Sequence, residues 1–356
     1  MEIRFFLPYL RKRLSIVNYK KPDMFIVNSY PWAVVFCFIT MLCWGSWANT
    51  QKLSSKKWAF QLYYWDYALG VLLLSLLLAF TMGSIGNEGR SFFTDLRQAD
   101  PSSFGLAFLG GVVFNLSNLL LVVAIDIAGL AVAFPIGVGL ALVIGVITNY
   151  IGEPLGNPFL LFAGVALVVL AIVIDALAYR KMPSQEGKTP AKGILISVAA
   201  GILMGFFYRF VAASMATDFA QPEAGKFTPY TASVIFSVGL LLSNFVWNTI
   251  VMYRPVVGAK VKYSDYFTQG NFKLHTIGIL GGAIWSLGMT FNIIASGQAG
   301  FAISYGLGQG ATLIAALWGV FIWKEFRGVK GVNALITLMF IFYFLGLGVI
   351  ISARIF

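Results

Sequence analysis

The sequence is poor in charged residues, which make up only 11% of its 356 residues, whereas 59% are hydrophobic. A soluble domain of this size carries about 25% charged residues, so the composition excludes an ordinary soluble protein. Histidine occurs once and cysteine twice. The sequence contains no metal-ligand spacing, nucleophile motif or phosphate-binding loop, and we therefore expect neither an enzyme nor a cofactor.

The scarce residues also exclude other functions. Cys37 and Cys43 lie six residues apart in one hydrophobic segment, where they are expected to fill small spaces rather than form a disulfide. His275 begins another segment and is interpreted as an interfacial residue rather than a ligand. The net charge is +11, but the Lys and Arg residues lie in loops beside hydrophobic segments. There they set membrane topology, so a nucleic-acid partner is not expected.

Ten hydrophobic segments are long enough to cross the hydrocarbon core of a bilayer, which requires about 20 residues. Helices and closed barrels are the only structures that span lipid, and the alternating pattern of barrel strands is absent. We therefore predict an all-α membrane protein with ten transmembrane helices, in a plasma or inner membrane. The predicted spans are 31–49, 61–82, 103–125, 129–151, 158–179, 193–213, 229–252, 275–296, 300–323 and 331–354.

Two stretches of the chain repeat each other at one constant offset (281 − 110 = 171), with Gly110-Gly111 matching Gly281-Gly282 and Gly129 matching Gly300. Five spans per copy is an odd number, so the second copy is inverted in the membrane. The predicted organisation is a tail (1–30), a first repeat (31–180), a connecting loop (181–192) and a second repeat (193–356). Matched interruptions in spans 4 and 9 point to a central site, although tight helix packing explains such residues as well. These interruptions are Pro135, Gly137, Gly139, Gly306, Gly308 and Gly310.

The amino-terminal segment is basic and polar, and three interpretations stay open: a cytoplasmic tail, a surface helix, or an extension upstream of a physiological start at Met24. Most Lys and Arg residues of the loops follow odd-numbered spans. The positive-inside rule therefore places those loops in the cytoplasm and both termini outside, whereas the cations of the tail favour the opposite orientation.

Aromatic and amide side chains gather where span 1 ends and span 2 begins. We predict a solute-binding role for Trp44, Trp47, Asn49 and Tyr64, because flat rings beside amides suit a small polar solute with an apolar face. The alternative is an interfacial aromatic belt. Deeper polar and aromatic residues complete the predicted site, and their neutral amides favour an uncharged substrate. These residues are Asn115, Asn118, Trp285, Asn292, Tyr305 and Gln309.

Few acidic residues lie near the spans. Asp66 is the candidate for proton coupling because it sits among apolar and aromatic residues, although a solvated interfacial carboxylate fits its position as well. We expect Asp66→Asn to abolish pH-dependent accumulation. Asp175 and Arg209 are expected to balance each other. A glutamate follows each of spans 4 and 9, Glu153 and Glu325, where it is expected to cap a loop or to pair with Lys324.

Ten spans in two repeats resemble the drug/metabolite transporter superfamily. The segment Trp44-Gly45-Ser46-Trp47-Ala48-Asn49-Thr50-Gln51-Lys52-Leu53, followed by Lys57-Trp58 and Tyr64-Trp65-Asp66, is similar to the glucose/ribose porters and the L-rhamnose–proton symporters. Plant ureide permeases look related, but their long central loop is missing here.

The resemblance implies a secondary active transporter that imports a small neutral solute, a sugar or a ureide, with protons and by alternating access. The lipid bilayer is its other expected partner. An exporter of drugs or metabolites with the same fold is the alternative.

Overall fold

The computed structural model describes residues 23–54, 58–86, 88–182, 190–256 and 258–356. Ten helices in these residues are long and apolar enough to cross a membrane, which confirms the prediction of an all-α, multi-pass membrane protein. The described part of the chain contains no strand, only two isolated bridges. The basic tail before residue 23 and most of the predicted connecting loop lie outside the described residues.

The observed spans agree with the predicted ones to within a few residues at most ends. Two of them are interrupted: span 1 at Trp47, and span 9 at Gln309 and Gly310. The spans are Tyr30–Ser46 with Ala48–Ser54 (span 1), Phe60–Phe80 (2), Pro101–Ala128 (3), Leu130–Gly152 (4), Pro158–Tyr179 (5), Pro190–Ser214 (6), Pro229–Tyr253 (7), Phe272–Ala299 (8), Phe301–Gly308 with Ala311–Leu317 and the π-helix Trp318–Ile322 (9), and Asn333–Ser352 (10). Short helices Phe92–Gln98 and Tyr263–Thr268 lie between spans 2 and 3 and spans 7 and 8.

The helix ends follow from local sequence. Proline opens spans 3, 5 and 7, where its missing N–H is not needed. Gly129 and Gly300 separate spans 3 and 4 and spans 8 and 9, with φ of +84° and +81°. Because glycine alone adopts this conformation readily, the two tight turns depend on this repeated residue.

We call the membrane side that carries the loops after spans 1, 3, 5, 7 and 9 the odd face, and the opposite side the even face. Span 3 packs against spans 6 and 7, and span 8 packs against spans 1 and 2. Span 4 contacts span 6, and span 9 contacts span 1. Spans 2 and 7, 4 and 9, and 5 and 10 contact each other directly. If each of spans 1–5 is exchanged with its counterpart in spans 6–10, the same set of contacts results. For example, the contact between spans 3 and 6 becomes the contact between spans 8 and 1.

The same exchange relates close backbone contacts. A Cβ atom at Gly70 would lie 2.1 Å from the carbonyl oxygen of Ile279, and one at Gly239 would lie 2.2 Å from that of Phe108. Phe108 and Ile279 are related by the repeat offset of 171, whereas the offset between the two glycines is 169. Spans 2 and 7 thus occupy equivalent places at an offset of 169, although their sequences show no convincing identity.

The repeated glycine pairs of spans 3 and 8 allow the close helix approach that was predicted for them. A Cβ atom at Gly111 would lie 2.0 Å from the carbonyl oxygen of Phe236, and one at Gly282 would lie 1.9 Å from that of Tyr67. Helix backbones can meet this closely only where side chains are missing.

Candidate functional site

A cavity of about 160 Å³ lies in the middle of the helix bundle, between spans 1, 3, 4, 6, 8 and 9. Five predicted site residues line it, and they come from both halves of the chain. The lining comprises Trp44, Gly45, Trp47, Ala48, Phe114, Asn118, Leu121, Phe134, Val138, Met204, Phe207, Trp285, Gln309, Ala311, Thr312 and Ala315. The structure therefore brings together Trp44, Trp47, Asn118, Trp285 and Gln309, as predicted from the sequence.

Aromatic rings form the wall of this central cavity. The ring centroids of Trp285 and Phe114 are 4.4 Å apart, and Trp44 stacks on Trp285 at 5.9 Å with an interplanar angle of 14°. The Trp44 Nε1 group donates to the Trp285 carbonyl oxygen at 3.2 Å, which holds this stack in place. Phe207 packs edge-on against Phe114 at 5.0 Å. Rings fixed in this way offer flat apolar faces to a solute.

Polar groups enter the cavity at few positions. The Asn118 amide donates to the Tyr64 hydroxyl at 3.0 Å. Tyr64, another predicted site residue, thus orients this amide from outside the cavity lining. The Gln309 side chain is 8% exposed and makes no hydrogen bond to any residue that the structure describes. Gln309 lies at the break in span 9, where its backbone carbonyl accepts from the Thr312 hydroxyl at 3.0 Å. The cavity thus offers amide donors and acceptors on an aromatic background.

The two repeats contribute unequally to the cavity. Phe114 and Trp285 are related by the repeat offset of 171 and both line it, as do Val138 and Gln309. In each pair the second repeat supplies the residue that can donate a hydrogen bond. Sequence reasoning missed Phe114, although the repeat offset from Trp285 points to it.

Asn115, another predicted site residue, lies away from the cavity. Its amide nitrogen donates to the Leu240 carbonyl at 3.2 Å and to the Ser243 hydroxyl at 2.9 Å. Ser286 is its counterpart at the repeat offset of 171 and donates to the Val71 carbonyl at 3.1 Å. The equivalent bonds join span 3 to span 7 and span 8 to span 2, so the amide nitrogen of Asn115 is engaged in helix packing.

Asn292 and Tyr305 also lie outside the cavity lining. Asn292 donates to the Ser304 carbonyl at 2.7 Å and ties span 8 to span 9. The Tyr305 hydroxyl donates to the Ala141 carbonyl at 3.2 Å, and its ring lies where Gly145 leaves room. Both side chains are used by contacts between spans.

Three of the glycines of spans 4 and 9, which were expected to locate the cavity, have close neighbours. A Cβ atom at Gly137 would meet Leu121 at 2.6 Å, one at Gly308 would meet Asn292 at 2.7 Å, and one at Gly310 would meet Leu347 at 2.8 Å. A Cβ atom at Gly139 would meet nothing within 4 Å, and Phe134, Val138 and Gln309 of the same segments line the cavity. The predicted segments therefore adjoin the cavity, and some of their glycines also allow close packing.

A second cavity of about 200 Å³, here called the vestibule, leads from the central cavity toward the odd face. It shares Gly45, Ala48, Phe134, Thr312 and Ala315 with the central cavity. Asn49, predicted to bind solute, lines the vestibule and accepts from Trp323 Nε1 at 2.6 Å.

Charged residues line the outer part of the vestibule. The Lys52 Nζ atom lies 2.6 Å from Glu325 Oε1, and the Tyr179 hydroxyl donates to Glu325 Oε2 at 2.7 Å. Glu325 was expected to cap a loop or to pair with Lys324. Its observed partners come from spans 1 and 5, which the fold brings to the same place.

Asp175 and Arg209 do not balance each other, contrary to expectation. Asp175 lines the vestibule near the odd face, within electrostatic reach of Glu325. Arg209 lies beside Gly152 near the even face and acts on Glu153. Spans 5 and 6 are antiparallel, and the two charges stand near opposite membrane surfaces.

Asp66 belongs to a separate cluster on the odd face. The His275 Nδ1 atom lies 3.0 Å from Asp66 Oδ2, and the Tyr266 hydroxyl donates to Asp66 Oδ1. Trp58 packs edge-on against the His275 ring at 4.7 Å. Burial and the bond to Asp66 raise the pKa of Tyr266. His275 is thus a hydrogen-bond partner of Asp66 rather than only an interfacial residue, and neither of them lines the central cavity.

A family model and the relatives that match most of the chain point to one family. A family model described as Ureide permease matches residues 63–189 and 180–353. Ureide permease 2 of Arabidopsis thaliana is 23% identical over an alignment of 395 residues, which covers 93% of this chain and 98% of the relative. Ureide permease 1 of the same plant is also 23% identical and covers 90% and 96%. Transmembrane protein 144 homolog B of Dictyostelium discoideum is 25% identical over 170 residues, 45% of this chain and 40% of the relative.

The fold also has a counterpart among solved structures. One crystal structure superposes with a TM-score of 0.55, covering 90% of this chain and 96% of its own, at 15% sequence identity. Similarity at this level supports the arrangement of the helices and carries no argument about the solute.

Proposed function

Because the chain belongs to the ureide permease family, we propose that it carries a ureide through the central cavity. The family indicates a membrane transporter of small polar solutes rather than an enzyme. Import, proton coupling and alternating access are part of the proposal, and particular residues support the last two.

The composition of the cavity wall supports a planar, neutral solute. A ureide has flat amide groups that stack on rings such as Trp285 and bond to amides such as Asn118 and Gln309. A sugar carries several hydroxyl groups, each of which needs a partner when it is buried. Apart from the indole groups of the aromatic wall, the polar side chains among the described lining residues are Asn118, Gln309 and Thr312. The few polar groups therefore favour a ureide over a sugar.

The size of the cavity supports a small solute. Sites for drug-sized molecules enclose about 300–1,000 Å³, whereas the central cavity encloses about 160 Å³. The exporter of drugs considered from the sequence would require a wider cavity.

The closure of the even face supports alternating access. On that side of the cavity, the Tyr208 hydroxyl lies 3.2 Å from the Ser304 hydroxyl, and the Tyr208 and Tyr305 rings are 5.0 Å apart. These three residues are fully buried. The vestibule meanwhile connects the cavity toward the odd face. We assign this arrangement to a state of the cycle that faces the odd side.

Charged residues occupy related places at the two faces. Glu325 follows span 9 and pairs with Lys52 of span 1, while Glu153 follows span 4 and lies near Arg209 of span 6. Exchanging the two repeats would place the pair of spans 9 and 1 where the pair of spans 4 and 6 lies. Rocking of one repeat against the other would loosen one pair while it tightens the other.

A thermal-shift screen of the purified protein tests the proposed solute class. A ligand that binds only the folded state stabilises it by about 2.7 kcal/mol at a concentration one hundred times its Kd. We expect hydantoin and uracil, which are flat cyclic ureides, to raise the melting temperature, and glucose to leave it unchanged. A shift with glucose alone would contradict the assignment to ureides.

A further inference from the structure

Asp175 is the buried acidic residue of the vestibule. It is 9% exposed, and its Oδ1 atom has no hydrogen-bond partner among the residues that the structure describes. A buried polar atom without a partner is costly and calls for an explanation. An ionised carboxylate in this position would carry an uncompensated charge, whereas a bound proton would remove it.

The charges around Asp175 do not balance when all of them are ionised. Glu325 and Lys52 form an ion pair at 2.6 Å, and Asp175 adds a second carboxylate within reach of Glu325. In the part of the chain that the structure describes, Asp175 also acts on Tyr179 of its own helix and on Tyr343 of span 10. Two carboxylates and one ammonium group have a net charge of −1, so a single proton makes the set neutral. Low-dielectric surroundings favour that neutral state.

The position of Asp175 connects it to solute movement. It lines the vestibule, and that cavity shares five lining residues with the central cavity. Closing the vestibule would have to bury Asp175 together with the Lys52–Glu325 pair. Such a step is easier when the set is neutral, because moving net charge into a low-dielectric site is expensive.

The Asp66 cluster lacks this connection. Both oxygens of Asp66 are within hydrogen-bond range of His275, and one also accepts from Tyr266. These contacts tie the loop helix Tyr263–Thr268 to spans 2 and 8, and Asp66 lines neither the central cavity nor the vestibule among the described residues. These hydrogen bonds suit a structural role for Asp66.

We propose that Asp175, acting with Glu325 and Lys52, binds the proton whose uptake and release accompany solute transport. The proposal deepens the function proposed above and rests on it for the transport step. Protonation adds H⁺ to one Asp175 oxygen from water on the odd face, and release returns it there or to the opposite side after the cavity reorients. A sodium ion is disfavoured because the Lys52 ammonium group already occupies Glu325.

Infrared spectroscopy of the purified full chain tests the proton site without any solute. Spectra recorded at acidic and alkaline pH report the C=O stretch of a protonated carboxyl group. We expect a titrating band in the wild type that disappears in Asp175→Asn and persists in Asp126→Asn, whose carboxylate lies at the same face. Asp175→Glu should retain a shifted band. A wild-type spectrum from Asp175→Asn, or loss of the band only in Asp66→Asn, would overturn the assignment.

Transport in proteoliposomes tests the coupling, with hydantoin as the labelled probe. Asp175→Asn should lose the response to a proton gradient while it keeps exchange of hydantoin across the membrane. Asp66→Asn, which the sequence alone predicted to abolish coupling, should keep both. Loss of the gradient response in Asp66→Asn alone, or a response to a sodium gradient in place of a proton gradient, contradicts the proposal. If the wild type transports no ureide while the infrared band behaves as expected, the proposed solute fails and the proton site stands.

Discussion

The cavity assignment makes opposite predictions for two buried amides that the sequence placed in one site. Gln309 lines the central cavity with an amide that is free to meet a solute, whereas Asn115 bonds to span 7. Leucine removes the amide from each position and puts a branched apolar side chain in its place. Gln309→Leu should therefore weaken solute binding, and Asn115→Leu should weaken the fold.

The magnitudes follow from the number of hydrogen bonds lost. A Gln309 amide can give a bound solute one donor and one acceptor, and each neutral bond contributes about 0.5–1.5 kcal/mol. Losing both amounts to about 1–3 kcal/mol, or a Kd raised about 5- to 150-fold. Asn115 makes two bonds to span 7 at 3.2 and 2.9 Å. Interhelical polar bonds in membranes average about 0.6 kcal/mol, so Asn115→Leu should cost about 1 kcal/mol of stability.

Calorimetric titration of the purified variants with hydantoin, together with thermal unfolding without ligand, separates the two effects. The expected result is a raised Kd with an unchanged melting temperature for Gln309→Leu, and a lowered melting temperature with a Kd within about 2-fold of wild type for Asn115→Leu. The reasoning is refuted if Gln309→Leu binds like the wild type, or if Asn115→Leu weakens binding without losing stability.

Three further substitutions probe the wall, a turn and a buried carboxyl. Trp285→Leu removes the ring that packs against Phe114 at 4.4 Å, so we expect hydantoin to bind about 2- to 12-fold more weakly by calorimetry; unchanged affinity would exclude stacking of the solute on this ring. Gly300→Ala places a Cβ atom 2.9 Å from Leu155 at a φ of +81° and should destabilise the protein by about 1–3 kcal/mol in thermal unfolding; an unchanged melting temperature would contradict this. Burial raises the pKa of Glu153 above its ordinary value of 4.5, so the folded protein holds this proton more tightly than the unfolded chain does. Its contribution to stability is lost as pH rises through the raised value, and melting temperatures across that range should depend less on pH in Glu153→Gln than in the wild type.

The spans could be predicted from sequence because lipid imposes a long apolar helix on each of them. Span 9 breaks at Gln309 and Gly310, within the segment marked by Gly306, Gly308 and Gly310, whereas span 4, marked by Pro135, Gly137 and Gly139, is a continuous helix. Glycine and proline alone therefore do not fix where a span breaks. The equivalence of spans 2 and 7 was hidden because an offset of 169 rather than 171 relates Gly70 to Gly239. Helices tolerate many apolar substitutions, so only the glycines at close contacts keep the pattern visible.

Only part of the candidate site could be predicted from the sequence. Aromatic and amide residues in spans signalled the cavity, but their type alone cannot distinguish a side chain that faces a solute from one that bonds to a neighbouring helix. Asn115 and Asn118 are three residues apart on one helix, yet only Asn118 lines the cavity. Partners that lie far apart in the sequence could not be predicted either. Lys52 and Glu325 are 273 residues apart, and Asp66 and His275 are 209 residues apart.

Filling the central cavity tests most directly whether it binds the solute. Ala311 lines this cavity and not the vestibule, so Ala311→Trp should block it. Leu42→Trp is the matched control, because Leu42 is 54% exposed on the outer surface of span 1. Hydantoin binding to the purified proteins should be lost in Ala311→Trp and kept in Leu42→Trp, with both variants folded by thermal unfolding. Wild-type binding by Ala311→Trp would contradict a solute site between spans 1, 3, 4, 6, 8 and 9.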